Sequence, residues 1–360
     1  MTAALRQPAT NRPVRVMLVD DSAIVRGFMR RWIDEDARVE LVKACSDGAQ
    51  AVKDAASVHP DVIVLDIEMP NMDGLTALPQ LRKAAPDARI IMASTLTAAG
   101  AAQTVKALAL GASDFIAKPQ ASAMGSVDSY RNDLLDKIVA LGERAEQRLA
   151  TTPSAPIKLR PGQLHASPPA AMLVAASTGG PTALPAFLAP IARRIDAPIL
   201  IVQHMPAAFT PVFAEKLEAA IGKHCREARE GDVLSSGTVL LAPGDHHMRV
   251  ARVPAGRMIH LDQGEPVNYC RPAADPLFES AAAAYGSRLL CVVLTGMGHD
   301  GRAGAGKVVE AGGRVIVQDE ATSIVWGMPG SVAQAGHAEA VKPLKELSQL
   351  ALRMMMGEAA

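Results

Sequence analysis

The chain has 360 residues, of which 49% are hydrophobic, so it can form two domains that each bury a core. Its 37 basic and 37 acidic residues cancel and only 3% of residues are aromatic, so no nucleic-acid partner is expected. No apolar run reaches the roughly 20 residues of a membrane helix, and we expect neither membrane insertion nor a signal peptide. The four scattered cysteines form no CxxC pair, which is typical of reduced thiols in a cytoplasmic protein.

The first part of the chain alternates between short apolar runs and helical segments. Five runs predict strands, namely VRVMLV, VELVKAC, DVIVLD, RIIMAS and DFIAKP. The segments between them predict helices, and a last helix is predicted from about residue 127 to 148. Five such repeats in about 135 residues predict a parallel sheet with helices on both faces.

Polar side chains stand at the carboxyl ends of these predicted strands. Asp20 and Asp21 follow the first strand, Asp66 ends the third, Ser94 ends the fourth, and Lys118 lies at the end of the fifth. A single strand-end aspartate is ordinarily a turn or cap residue, but the strand ends of a doubly wound sheet converge on one pocket. Crowded carboxylates repel each other, and a hard divalent cation relieves that repulsion. We therefore expect a cation site at this edge of the sheet.

The second part of the chain follows residues 151–170, whose five prolines and lack of periodicity predict an extended tether. It opens with MLVAASTGGP, in which a buried strand is followed by a turn and a helix start at Pro181. Ser177 in that turn can act as a nucleophile, because the N–H groups of the helix start would stabilise an oxyanion. Alternatively, Ser177 or Thr178 only caps the helix. The pattern AxSxG also departs from the GxSxG of α/β-hydrolases.

Two further polar residues follow buried strands of this part. His204 follows PILIVQ and Asp300 follows LLCVVLTG, and singly they are explained as a strand-end hydrogen-bonding residue and a helix N-cap. Together with Ser177 they would meet at one sheet edge, where a hydroxyl, an imidazole and a carboxylate can form a catalytic triad. The chain order Ser, His, Asp differs from that of α/β-hydrolases. His246 and His247 lack a third ligand at suitable spacing, so we expect them to be structural or surface residues.

The motifs VDDS, LDIEMPNMDG and the KP after the fifth strand resemble the receiver domain of two-component response regulators. The resemblance implies that Asp66 is the phospho-acceptor and that a histidine kinase supplies the phosphoryl group. It implies a Mg²⁺ site formed by Asp20, Asp21, Asp66 and the backbone carbonyl of Glu68. It also implies three residues that respond to phosphorylation, namely Lys118, the switch hydroxyl Ser94 and the aromatic Phe115.

The motifs AASTGGP, QHMP, LAPGDHHM, RPAADPLF, TGMGHDG and VWGMPG resemble the catalytic domain of chemotaxis protein-glutamate methylesterases. The resemblance implies Ser177 as nucleophile, His204 as base and Asp300 as its orienting partner. It also implies the backbone N–H of Met297 in the oxyanion hole, with Thr178 beside the nucleophile. Two departures, Ala175 and His299, replace no chemical group.

The two resemblances imply two doubly wound α/β domains, a flavodoxin-like receiver over residues 13–130 and a Rossmann-like methylesterase domain over residues 171–356. Residues 131–170 would form a helix end and the Pro-rich linker. The implied activity is demethylation of glutamate methyl esters, and deamidation of specific glutamines, on methyl-accepting chemoreceptors. The unphosphorylated receiver would inhibit this activity until Asp66 is phosphorylated. We expect a cytoplasmic monomer that needs Mg²⁺ for phosphorylation and no cofactor for hydrolysis.

Two functions of other classes remain open at this level. The chain could be a signalling adaptor whose second domain only recognises receptors, although a pure binding module would not need Ser177, His204 and Asp300. A nucleotide-binding Rossmann domain is disfavoured, because the turn at Ser177 has neither GxGxxG nor GxxxxGK[ST].

Overall fold

The structure is a computed structural model that describes residues 12–118, 126–147, 157–161 and 168–358. The chain divides into two compact units, Met1–Ser154 and Ala155–Ala360. Much of the predicted linker, residues 151–156 and 162–167, lies outside the described residues. Among the helices that the structure describes, none is long and apolar enough to cross a bilayer.

The first unit is a five-stranded parallel sheet with alternating helices, as the sequence predicts. Its elements are β1 Val14–Val19, α1 Ala23–Asp34, β2 Val39–Cys45, α2 Gly48–Val58, β3 Val62–Asp66, α3 Gly74–Ala84, β4 Arg89–Ser94, α4 Ala98–Ala109, β5 Asp114–Ala117 and α5 Ser126–Gln147. The strand order β2-β1-β3-β4-β5 is the flavodoxin-like order. The order reverses between β1 and β3, so the crevice for a ligand lies where these strands end.

Four helix starts in the first unit follow one local rule. A short polar side chain precedes each helix and accepts a hydrogen bond from the backbone N–H three residues further on. These caps are Ser22, Asp47, Asp73 and Thr97. The cap at Ser22 leaves Asp20 and Asp21 between the end of β1 and the start of α1, at the crevice.

The second unit contains a seven-stranded parallel sheet and a separate hairpin. Its elements are β6 Ala171–Ala176, α6 Gly180–Leu188, a 3₁₀ turn Ala192–Arg194, β7 Ile199–Gln203, α7 Thr210–Ile221, β8 Arg226–Glu227, β9 Val239–Leu241, β10 His247–Val253, β11 Gly256–Asp262, α8 Ala274–Tyr285, β12 Leu289–Val293, α9 Arg302–Glu310, β13 Arg314–Gln318, α10 Met328–Gln334, β14 Ala340–Lys342 and α11 Leu344–Met355. The hairpin is the antiparallel pair β10 and β11.

The sheet of the second unit has the order β14-β13-β12-β6-β7-β9-β8. Strand β6 is central, with β12 on one side and β7 on the other. The chain leaves β6 toward β7 and later returns to β12 on the opposite side, so the strand order reverses at β6. Every residue of β6, β7 and β12 is buried, which fixes these strand ends in a close-packed layer. Ligands of open α/β sheets bind at such a reversal.

Candidate catalytic and phosphorylation sites

Ser177 lies in the turn between β6 and α6, with its backbone N–H bonded to the carbonyl of Thr295 at 3.0 Å. The turn needs its two glycines. Gly179 has φ +80°, and a Cβ on Gly180 would lie 1.9 Å from Oε1 of Gln203. The N-cap of α6 is Gly179, so neither Ser177 nor Thr178 caps the helix. The hydroxyl of Ser177 bonds to no other described residue and is free for chemistry.

His204 directly follows β7 and lies beside this turn, because β6 and β7 pair in register. Ala176 is opposite Gln203, and the N–H of His204 bonds to the carbonyl of Ala176 at 3.1 Å. The buried amide of Gln203 donates to the carbonyls of Ser177, at 3.0 Å, and His204, at 3.2 Å. Gln203 therefore ties the two strand ends together. Sequence reasoning missed this role, although the residue stands in the QHMP motif.

Asp300 lies in the loop between β12 and α9 and is 1% exposed. One carboxylate oxygen, Oδ2, lies 2.7 Å from Nε2 of His204 and accepts the N–H of Ala274. The other, Oδ1, accepts the N–H of Asp275 and the side-chain amide of Asn268. Asp300 is therefore not the N-cap of α9, which is Gly301. Four donors hold a buried anion in one orientation.

The electrostatics of the pair follow from this burial. Burial alone raises the pKa of Asp300, but the bonds from His204 and two backbone N–H groups outweigh it and leave the pKa below its usual value. Burial alone lowers the pKa of His204, but the interactions with Cys270 and Asp300 outweigh it and raise the pKa above its usual value. Asp300 is thus ionised near neutral pH, and its charge favours a protonated ring of His204.

The second nitrogen of the His204 ring faces Cys270, with Nδ1 3.3 Å from the Cys270 sulphur. Since Asp300 occupies Nε2, Nδ1 is the nitrogen available for proton transfer. The structure shows no hydrogen bond between His204 and the Ser177 hydroxyl, although both residues stand at adjacent strand ends. The sequence carries one signal for Cys270, which is its place directly before the RPAADPLF motif.

Met297 follows Gly296, which packs directly against Ser177. A Cβ on Gly296 would lie 2.9 Å from Cβ of Ser177 and 2.4 Å from the sulphur of Met328. A Cβ on Gly327 would lie 2.8 Å from the carbonyl of Gly296. The TGMGHDG and VWGMPG motifs therefore meet at the serine. The N–H of Met297 bonds to no other described residue, so it is free to donate.

Thr178 is buried behind the serine, and its carbonyl accepts the hydroxyl of Thr295 at 2.9 Å. Thr295 also accepts the N–H of Val325, and its own N–H bonds to the side chain of Gln318. This buried network joins the ends of β6, β12 and β13. The backbone of Thr178 thus anchors the turn that carries Ser177. The sequence analysis assigned no role to Thr295 or Gln318.

His247 is buried, and its ring bonds to the carbonyl of Glu265 at 3.1 Å and to the N–H of Ala273 at 3.3 Å. His246 bonds to the carbonyl of Gly244 at 3.3 Å. In the described part of the chain, neither histidine belongs to a cluster that could hold a metal. Both have the structural environment that the sequence indicates.

In the first unit, Lys118 joins two carboxylates at the sheet edge. Its Nζ lies 2.8 Å from Asp20 and 2.7 Å from Asp66. Burial raises the pKa of Asp66 to about 6, and the nearby Asp20 adds to this, while Lys118 opposes it. The pKa of Lys118 is itself raised, because the attraction of the two carboxylates outweighs its burial. One lysine therefore leaves an excess of negative charge in the pocket.

The donor set fits a divalent cation such as Mg²⁺. One carboxylate oxygen from each of Asp20, Asp21 and Asp66 lies within 4.8 Å of the others, and hard cations prefer such ligands. The cavity beside them has a volume of about 330 Å³ and is also lined by Glu68. A cation there would neutralise the excess negative charge and, like Lys118, lower the pKa of Asp66 that burial raises.

Ser94 and Phe115 lie near this pocket in buried positions. The Ser94 hydroxyl donates to the carbonyl of Gly100 in α4 at 3.1 Å, and no bond joins it to Asp66. Phe115 is 5% exposed, and Nζ of Lys137 lies 5.5 Å from the centre of its ring. Any contact of Ser94 with a phosphorylated Asp66 must therefore replace its bond to Gly100.

Comparison with known proteins gives consistent matches over both units. The sequence profile of the CheB methylesterase matches residues 172–351, and that of the response regulator receiver domain matches residues 16–124. A protein-glutamate methylesterase/protein-glutamine glutaminase 2 of Caulobacter vibrioides is 52% identical, over 93% of this chain and 96% of that protein. A protein-glutamate methylesterase/protein-glutamine glutaminase of Azospirillum brasilense is 44% identical, over 93% of this chain and 91% of that protein.

A solved structure, the catalytic domain of the Thermotoga maritima CheB methylesterase, is 36% identical. The match covers 52% of this chain and 99% of that domain, with a TM-score of 0.51. A receiver unit followed by an α/β unit that places a serine, a histidine and an aspartate at one sheet edge defines a response regulator with an enzymatic output domain. The chain belongs to the CheB methylesterase family.

Proposed function

We propose that the second unit is a serine hydrolase in which Ser177 is the nucleophile, His204 the base and Asp300 its orienting partner. The observation that supports this most is the 2.7 Å contact between Oδ2 of the buried Asp300 and Nε2 of His204. His204 follows the strand next to the one that leads to Ser177, whose hydroxyl bonds to no other described residue. The substrates would be γ-glutamyl methyl esters and specific glutamines of chemoreceptors. The names of the relatives describe the two corresponding activities, methyl ester hydrolysis and glutamine deamidation.

The proposed reaction begins when Ser177 attacks the ester carbonyl and its proton moves to Nδ1 of His204. Asp300 stabilises the resulting imidazolium without accepting the proton. The oxyanion accepts the N–H of Met297, with Thr178 as part of the rigid turn behind it. His204 then returns the proton to the leaving methoxide, and methanol departs. Water activated by the same base releases glutamate, and an amide would follow the same route with ammonia as the leaving group.

We further propose that phosphorylation of Asp66 by a histidine kinase relieves inhibition by the receiver. We place the receiver at residues 13–130 and the catalytic domain at residues 171–356, with residues 131–170 joining them. Asp20, Asp21, Asp66 and the carbonyl of Glu68 would hold Mg²⁺, which lowers the repulsion between the carboxylates and an incoming phosphoryl group. Lys118 would bind a phosphoryl oxygen, and Ser94 would move from Gly100 toward it, followed by Phe115. We place the protein in the cytoplasm as a monomer.

The test is methanol release from membranes that carry methylated chemoreceptors, measured with the full chain. Ser177→Ala should lower the turnover number by roughly 10⁴-fold or more. Ser287→Ala, at an exposed serine of the same unit, is the matched control and should retain full activity. Near-normal methanol release by Ser177→Ala would rule out the serine mechanism. Absence of methanol release by the parent chain would favour a receptor-binding adaptor.

Regulation is tested with the same assay in the presence of acetyl phosphate. Activity should rise with acetyl phosphate and Mg²⁺ together, and the rise should disappear on chelation of Mg²⁺ or in Asp66→Asn. Hydrolysis by the unphosphorylated chain should be unaffected by chelation, because no step of ester cleavage uses the metal. An equal response in Asp66→Asn would show that the phosphodonor acts elsewhere.

A further inference from the structure

The environment of His204 contains a thiol that the hydrolytic mechanism does not use. The sulphur of Cys270 lies 3.3 Å from Nδ1, the nitrogen that must accept the proton of Ser177. Asp300 holds the other nitrogen at 2.7 Å, so the neutral ring carries its proton on Nε2 and presents a lone pair at Nδ1. In the proposed reaction Ser177 must therefore use the ring nitrogen that Cys270 now contacts.

Cys270 reaches His204 because it closes a tight turn. Val267 and Cys270 pair through two backbone hydrogen bonds, of 3.1 and 2.9 Å. The residues between them, Asn268 and Tyr269, have φ values of 51° and 64°, as in a two-residue hairpin turn of the primed type. A left-handed conformation is costly for a tyrosine, so the surrounding contacts must hold the turn in place.

The turn is attached to both partners of the acid–base pair. Asn268 bonds to Asp300 at 3.2 Å and to Asp275 at 3.0 Å, while Cys270 contacts His204. Tyr269 between them points to solvent and is fully exposed. One short turn therefore fixes the carboxylate from one side and the imidazole from the other.

We propose that Cys270 is a positioning residue for the general base, which orients the ring of His204 through Nδ1 and sets its affinity for protons. This inference rests on the proposed role of His204 in ester hydrolysis. The titratable groups that face His204 are Cys270 on the turn and Asp300 on the loop before α9, with Asp275 of α8 behind Asp300. Cys270 is the member of this set that contacts Nδ1.

The physical consequence follows from the interaction between the ring and the sulphur. The Cys270 sulphur favours the protonated imidazole and contributes to the raised pKa of His204. A serine at this position retains a hydrogen-bonding group but stays neutral in the accessible pH range, and an alanine retains neither property. The two variants therefore separate orientation of the ring from its proton affinity.

The experiment compares Cys270→Ser and Cys270→Ala in the full chain by the dependence of kcat/KM on pH. The acidic limb should move to lower pH by about one unit in both variants, because both lose the sulphur whose interaction raises the pKa of His204. The limiting kcat should fall about tenfold or more in Cys270→Ala and less in Cys270→Ser, with KM little changed. Tyr269→Asn, on the same turn and tolerant of positive φ, is the matched control and should leave the limb in place.

Nuclear magnetic resonance of labelled histidine measures the same property without activity. His204 should titrate at lower pH in both cysteine variants, and its neutral tautomer should be less uniform in Cys270→Ala. If the His204 titration and the kcat/KM profiles of both variants coincide with those of the parent chain, Cys270 has no positioning role. If the parent chain releases no methanol but the cysteine variants still alter the titration of His204, the proposed function is wrong and the positioning of the ring by Cys270 stands.

Discussion

Nε2 of His204 lies 2.7 Å from Oδ2 of Asp300, so the outer nitrogen of the ring bonds to the carboxylate and the proposed proton transfer falls to Nδ1. In the familiar serine protease arrangement the two nitrogens have the opposite roles. The partners around the ring account for the difference, with Asp300, from the loop after β12, at Nε2 and Cys270 at Nδ1. What matters for catalysis is that one nitrogen is fixed by an anion, and this geometry provides that.

The first prediction concerns pH. Only the neutral form of His204 can accept the proton of Ser177, and its pKa is raised above the usual value of about 6.5. The protonated, inactive form therefore persists to higher pH than for an ordinary histidine. We expect kcat/KM for ester hydrolysis to be still rising with pH above pH 7. A profile that is already level at pH 6.5 would contradict the raised proton affinity.

The second prediction is that Asp300→Asn lowers kcat by about 10³- to 10⁴-fold with a small change in KM. An amide cannot stabilise the imidazolium, and its NH₂ group would meet the donors that now bond to the carboxylate, including the N–H of Ala274. Steady-state methanol release gives both constants. Asp196→Asn, at an exposed position of the same unit, is the control. A change confined to KM would indicate that Asp300 acts in substrate binding.

The third prediction is that Gly296→Ala lowers kcat by at least about 10²-fold. The added Cβ would collide with Ser177 and with Met328, so the serine and the N–H of Met297 would move relative to each other. Gly27→Ala in α1, where no atom lies within 4 Å of the added Cβ, should retain activity and stabilise the fold by about 0.5–1 kcal/mol. Methanol release and thermal unfolding distinguish the two. Full activity of Gly296→Ala would show that the close contact is not needed.

The fourth prediction is that Asp66→Asn stabilises the first unit by about 1–2 kcal/mol at pH 7 without Mg²⁺. Because burial raises the pKa of Asp66 to about 6, the folded state prefers the protonated carboxyl, and ionisation costs stability. The cost is absent below pH 4, grows as pH rises to 6, and is then constant. Calorimetry of the full chain measures the effect, with the exposed Asp128→Asn as control. A stabilisation that is equal at pH 4 and pH 7 would have another cause.

Much of the fold follows from the sequence alone. Apolar runs with polar residues at their ends specify the parallel strands of both units, because strands buried on both faces cannot alternate with polar residues. Since strand ends converge at one sheet edge, the runs also indicate that Asp20 and Asp66 share a pocket, and that Ser177, His204 and Asp300 lie near one another. The roles of these residues come from motifs, and they remain proposals.

The tertiary structure decided what spacing could not. Nε2 of His204 faces Asp300 and Nδ1 faces Cys270, and both partners come from segments far from His204 in the chain, which no local pattern encodes. The contact of Cys270 with His204 depends on a turn that only packing can hold, since it places a tyrosine at positive φ. The hydrogen bonds of Thr295 join residues that are far apart in the chain. Position 296 must be glycine because Ser177 packs against it, and only the fold brings the two together. Each of these is a contact between segments that are distant in the sequence and meet only in the folded chain.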